Sequence, residues 1–227
     1  MEKRVPTGAG RISMKKRVLF FAVFFLAAVL AAGCGEGTPR LKPLPKDGVV
    51  LAFGDSLTYG TGAEPGRSYP EDLEALIGRK VVRSGIPGEV TGAGLERLTP
   101  VLDAVRPDLV ILCHGGNDIL RRMDPRVTAE NLKAMIGIIR GRGGDVVLVG
   151  VPAPGLRLRT ASFYGKVAEE TGVPILEGVL TEILSTRALK ADRIHPNGRG
   201  YARMASAVAD FLVREGALTG GDLRRTP

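Results

Sequence analysis

"LAFGDSLTYG", Leu51 to Gly60, closes an apolar run that starts at Val49 and opens a polar, glycine-punctuated stretch. The run is continuous rather than alternating, the pattern of a parallel strand covered on both faces. It ends on Gly54-Asp55-Ser56, where a helix is about to begin. A serine at such a junction can cap the helix, cradle a phosphate or act as a nucleophile. The choice rests on what the rest of the chain brings to the same place.

Four further runs have the same strand-like character: 80–86, 107–116, 145–152 and 173–179. Amphipathic spacing predicts helices over 69–77, 92–105, 128–140, 160–170 and 196–214. Gly78 follows the first of these and Pro107 stands just beyond the second, both ordinary helix stops. Strands alternating with helices predict an α/β fold, a three-layer α/β/α sandwich around a five-stranded parallel sheet. The domain is expected over 49–215, with no internal repeat or second domain visible. Residues 216–227, ending in "TGGDLRRTP", read as a disordered tail.

Sites in open parallel sheets form beyond the carboxyl ends of the strands. Ser56 follows the first strand, Gly85 and Gly88 the second, and "HGGND" with Asn117 the third. Beyond the fifth comes "ADRIHPNGRGY" with Asp192 and His195. This set suits acyl transfer. A serine hydroxyl needs a base to take its proton, and of the chain's two histidines His195 stands in a loop able to reach the rim. Asp192, three residues earlier, can fold back onto Nδ1 of the ring, fixing its tautomer and stabilising the imidazolium. The amides of Ser56 and Gly88 and the side-chain NH2 of Asn117 can donate to an oxyanion. Glycine at 88 is expected to let the backbone approach without a Cβ in the way. His114 reads as a packing or supporting residue, Asp118 as structural, and Arg121 and Arg122 as solvated, with a contact to anionic head groups as the alternative.

The four blocks "FGDSLTYG", "GIPGEVT", "GGND" and "DRIHP" occur here in the order of the SGNH, or GDSL, hydrolases, and the resemblance covers about residues 49–215. It implies a flavodoxin-like SGNH hydrolase fold and a serine esterase with no metal or other cofactor. It further implies a triad of Ser56, Asp192 and His195, an oxyanion hole of Ser56, Gly88 and Asn117, and a small-molecule ester or lipid as substrate. The pattern resembles the thioesterase I and arylesterase-like branch. That branch usually has Asn at the position of Arg83 and Asp at that of Glu89, so a supporting hydrogen bond is expected to be missing at Arg83.

"MKKRVLFFAVFFLAAVLAAGCG", Met14 to Gly35, has Lys15, Lys16 and Arg17 ahead of an apolar run from Val18 to Ala32. That run is short for a membrane span and right for a signal-peptide core. Small residues then precede Cys34, as in the bacterial lipobox. The reading is a lipoprotein-type signal peptide over 1–33 with Met14 as the true start, and an ordinary signal peptide or anchor helix as the alternative. The resemblance implies an acylated Cys34 as membrane anchor, 34–48 as a flexible tether, and a place in the cell envelope facing the periplasm or the outside. Cys113, alone inside an apolar run, is expected in the core without a disulfide.

The formal charge is +8, but residues 1–33 contribute +5 of it, leaving +3 for 34–227. A nucleic-acid partner is therefore not expected. A flavodoxin-like binding module needs neither His195 nor "GGND", and 5% aromatic content leaves little for flavin stacking. Two histidines are too few for the His-rich dinuclear site of a metallophosphoesterase.

Overall fold

The computed structural model describes residues 41–155 and 157–224. The expected signal peptide over 1–33, Cys34 and the first part of the expected tether lie outside them.

Five parallel strands make the central sheet. They are β1 (Val49–Gly54), β2 (Lys80–Gly85), β3 (Leu109–Cys113), β4 (Asp145–Val149) and, after a small antiparallel hairpin of β5 (Pro152–Ala153) and β6 (Arg159–Thr160), β7 (Ile175–Leu176). Their spatial order is β2-β1-β3-β4-β7. Val50–Phe53, Leu109–Cys113 and Val146–Val149 are all buried, so the continuous apolar runs are strands covered on both faces.

Among the described residues, eight α-helices connect and cover the strands: α1 (Ser56–Tyr59), α2 (Tyr69–Ile77), α3 (Thr91–Val105), α4 (Gly116–Leu120), α5 (Pro125–Gly141), α6 (Ser162–Thr171), α7 (Val179–Ser185) and α8 (Gly198–Arg214). On one face α2 packs against α8. On the other α3 packs against α5, and α5 against α6. Local chemistry sets several of their starts. Glu71 accepts from both the amide and the hydroxyl of Ser68 ahead of α2, and Asp124 accepts from the Arg126 amide with Pro125 in the first turn of α5. The Asp124-Pro125 signal places the start of α5 three residues before the expected Thr128.

The chain leaves β1 toward β2 on one side and reaches β3 on the other. That reversal opens a crevice between the ends of β1 and β3, where open α/β sheets bind ligands.

Four expectations are corrected. Residues 216–224 are not a disordered tail: Ala217 and Leu218 are buried, Arg79 Nη2 stands 2.5 Å from Asp222 Oδ1, and the Arg224 amide donates to Leu76 O. The flexible tether expected over 34–48 does not extend over 41–48, where Leu41 and Leu44 are buried. Their amides donate to Glu215 O and Ala217 O, so 41–48 and 216–224 brace each other. The fifth strand shrinks from 173–179 to two residues, and Pro196 stands outside α8, whose N-cap is Asn197, with Oδ1 accepting from the Gly200 amide at 3.0 Å. Cys113 is buried in the core, as its surroundings in sequence suggest.

Candidate active site

Asp55 is the last residue before α1 and caps it, its Oδ1 accepting from the Leu57 amide at 3.1 Å. Ser56 is thus the first residue of a helix, with an amide that no turn of that helix can satisfy. Close packing of the strand ends holds this junction. A Cβ on Gly54 would fall 1.9 Å from Cys113 O, and one on Gly85 would fall 2.3 Å from the Tyr59 amide nitrogen. Burial pushes the Asp55 carboxyl above its ordinary range, against the opposing pull of His114, the Leu57 amide and His195.

From the loop before α8, His195 reaches back across 139 positions of sequence. Its Nε2 lies 3.1 Å from Ser56 Oγ, and its Nδ1 lies 2.8 Å from Asp192 Oδ2. The other Asp192 oxygen accepts from the amides of Ile194 and His195, each at 2.8 Å, so the carboxylate folds its own turn. A carboxylate on Nδ1 leaves Nε2 as the acceptor for the serine proton. Burial works to raise the Asp192 carboxyl, but hydrogen bonds from the His195 ring and from those two amides outweigh it and hold the group below the ordinary carboxylate range. The loop itself is fastened. Asn197 Nδ2 donates to Ala188 O, Ala191 N donates to His195 O, and Tyr201 Oη donates to Thr61 O at 2.8 Å.

Asn117 sits in the first turn of α4, beside the same junction. Its Nδ2 donates to Glu89 O at 2.9 Å, with a longer 3.3 Å contact to Asp55 Oδ2. Gly88 is the third residue of an Ile86-Pro87-Gly88-Glu89 turn, closed by the Glu89 amide on Ile86 O, with φ +81. Proline second and glycine third are what a type II turn requires. That left-handed backbone favours glycine, and no atom of the described residues lies within 4 Å of a Cβ built there. Ser56, Asn117 and His195 line a common cavity of about 360 Å³. Gly88 and Asp192 are not in its lining; Asp192 stands behind the ring, and Gly88 stands on the neighbouring turn.

Several supports have no motif in the sequence. Arg97, on α3, donates to both carboxylate oxygens of Glu89 (2.6 and 2.7 Å), to Ser84, and to Gly54 O directly before Asp55. His114 is fully buried. Its Nδ1 accepts from the Gly115 amide, which leaves the proton on Nε2 to donate to Glu89 Oε2 at 3.1 Å. Burial works against the Glu89 charge, but His114 and Arg97 prevail and hold its carboxyl below the ordinary range. One ion-paired cluster thus ties the ends of β1, β2 and β3 behind the site. Sequence picked out His114 as a packing or supporting residue and Glu89 as a departure from the branch, but not Arg97, which stands next to Leu98 on the inward side of α3. Asp118 is structural, accepting from the amide and hydroxyl of Thr91. Arg121, read as solvated, is exposed but donates to Gly88 O at 2.8 Å. Arg83, where a support was expected to be missing, donates to Tyr59 O at 2.9 Å and lies over the Tyr59 ring.

The cluster leaves no room beside His114. A Cβ at Gly94 would lie 2.3 Å from His114 Nε2 and 2.9 Å from Cδ2, and the ring is pinned at both nitrogens. Gly94→Ala is expected to cost about 1–3 kcal/mol, lowering Tm by roughly 3–10 °C in a thermal scan. An unchanged Tm would mean the ring has slack that these contacts do not suggest.

A profile of the GDSL-like lipase/acylhydrolase family matches residues 52–203. The chain is 33% identical over 176 residues to an arylesterase of Vibrio mimicus, covering 73% of this chain and 88% of that protein. It is 31% identical over 174 residues to thioesterase 1/protease 1/lysophospholipase L1 of Escherichia coli strain K12, covering 73% and 82%. The crystal structure of AlinE4, an SGNH-hydrolase family esterase, superposes with a TM-score of 0.60 at 30% identity, over 75% of this chain and 97% of the other. With the sheet order, the four blocks and this likeness together, the chain belongs to the GDSL/SGNH lipase and acylhydrolase family and is an ester-bond hydrolase.

Proposed function

We propose that the chain is a serine esterase acting on carboxylic esters or thioesters through an acyl-enzyme on Ser56. As Oγ attacks the carbonyl carbon, His195 Nε2 takes its proton, and Asp192 holds the ring and the charge it gains. The carbonyl oxygen becomes an oxyanion facing the amides of Ser56 and Gly88 and Nδ2 of Asn117. Collapse of the adduct expels the alcohol or thiol, which leaves with the proton from His195. A water molecule deprotonated by the same nitrogen then attacks the acyl group and returns Ser56 to its starting state. The observation that carries this reading is a single imidazole bonded to Ser56 Oγ on one side and Asp192 Oδ2 on the other.

The cavity beside Ser56 has largely apolar walls, including Leu57, Ile119, Val151, Pro152 and Leu184. Such walls suit an acyl or aryl group better than an acetylated sugar, which needs polar partners. The names of the two relatives, arylesterase and thioesterase/lysophospholipase, point the same way. Anchoring in the cell envelope through acylated Cys34 belongs to the same proposal and rests on the Met14–Gly35 stretch. A fluorophosphonate probe tests the chemistry. The label is expected on Ser56 by peptide mass spectrometry and at least about 10³-fold more slowly in His195→Ala. Ester turnover that continues with Ser56 unlabelled would overturn the assignment.

A further inference from the structure

Among the described residues, the exposed large hydrophobic side chains are Tyr59, Ile86, Leu120, Met123, Val127 and Ile194. All six stand in segments that follow the carboxyl ends of the strands, the edge at which the cavity lies. Contacts tie several of these segments together. Arg83 bridges from the end of β2 to Tyr59 across its ring, the Ile86 amide donates to Gly54 O, and Arg121 clasps Gly88 from α4. Leu120 and Ile194 line the cavity from opposite sides of the sequence.

Charge follows the same division. Segments 59–68, 83–90, 116–127, 151–161 and 190–199 carry ten Arg or Lys against five Asp or Glu. Two of those five acids, Glu89 and Asp118, are buried in the networks described above. The rest of 41–224 carries fourteen basic residues against seventeen acidic ones. The molecule is thus polarised, basic around the cavity and acidic elsewhere.

We propose that this rim docks on an anionic lipid–water interface, so that the cavity opens against lipid. Apolar side chains set singly among arginines can each enter the head-group region while the guanidinium groups meet phosphate. A protein partner would instead select a contiguous apolar centre within a polar border. Docking needs no chemistry at Ser56, yet it deepens the esterase reading, because it would deliver lipid or lipid-dispersed esters as substrates.

The test uses a chain starting at Pro39, which contains every element of the described fold. The AlinE4 chain, matched over 97% of its length, shows that this domain folds without more. With Ser56→Ala in place, binding is measured by co-sedimentation with vesicles of phosphatidylcholine alone or mixed with phosphatidylglycerol. Binding to the anionic vesicles is expected to be at least about tenfold tighter and to weaken with salt. Met123→Ser/Val127→Ser and, separately, Arg122→Glu are each expected to lower it about fivefold or more. None of these three side chains lines the cavity or belongs to the proposed triad. Equal binding to both vesicle types, or variants that bind as before, would overturn the proposal. So would concentration-dependent dimerisation through Met123 and Val127 without vesicle binding, which would make the rim a protein contact. With Ser56 restored, the same variants should hydrolyse soluble p-nitrophenyl acetate within about twofold of the parent. Loss of that activity in the parent itself would count against the esterase reading and leave the docking result standing.

Discussion

Ser56→Ala is expected to lower kcat for a soluble p-nitrophenyl ester by about 10⁴–10⁶-fold, with the Tm unchanged within about 2 °C. Oγ is the atom that would bond to the acyl carbon; of the other candidates among the described residues, Asp55 is committed to capping α1, His195 is held between Ser56 and Asp192, and Cys113 lies buried in β3 outside the cavity lining. KM should change little, because a hydroxyl that gives up its proton only in the reaction adds little to ground-state binding. His195→Ala should be nearly as severe. The double variant should be hardly worse than either single one, because groups that act as a unit lose their effect together. Initial rates at saturating ester check all three. A Ser56→Ala protein within tenfold of the parent, with contaminating esterase excluded by active-site titration, would remove the acyl-enzyme mechanism.

Asn117→Ala should reduce kcat about 10²–10³-fold while leaving KM within about threefold. One Nδ2 hydrogen is held by Glu89 O at 2.9 Å. The other is held by the longer 3.3 Å hydrogen bond to Asp55 Oδ2, which it would have to loosen to serve an oxyanion as charge develops. A hydrogen bond to a charged oxygen is strong in a site partly shielded from water. The same substitution strips Asp55 of a donor in a site where burial already pushes its carboxyl up. A stability loss of about 1–3 kcal/mol is therefore expected beside the kinetic one. Measuring Tm and kcat on the same preparation separates the two. A fall in Tm with kcat intact would make Asn117 a structural residue only.

These expectations depend on groups that were legible to different degrees. Ser56 and Asn117 stand out in sequence because each opens a helix just after a buried strand, and Asp192 and His195 because they stand three residues apart in the loop before the last helix. Arg97 and Tyr164 do not stand out. The hydroxyl of Tyr164 donates to His114 O from a helix fifty positions away, a distance in sequence that no local pattern spans. Gly88 was legible as a glycine following the second strand, but its left-handed backbone is visible only in coordinates. The strap formed by 41–48 and 216–224 was missed because proline, glycine and charge read as loop whether or not the loop is packed.

Sequence alone therefore determined the parallel α/β architecture, the edge at which chemistry gathers and the residues able to perform it. Strand burial and helix amphipathicity are written in spacing along the chain, which explains why these were readable. What only the tertiary structure decided is how those residues are held: the imidazole seated between Ser56 and Asp192, the Arg97–Glu89–His114 cluster behind the proposed oxyanion donors, and the exposed apolar side chains set among arginines at the same edge. Each of these joins segments far apart in the chain, and their meeting is fixed by close packing of strands and helices rather than by any neighbour in sequence.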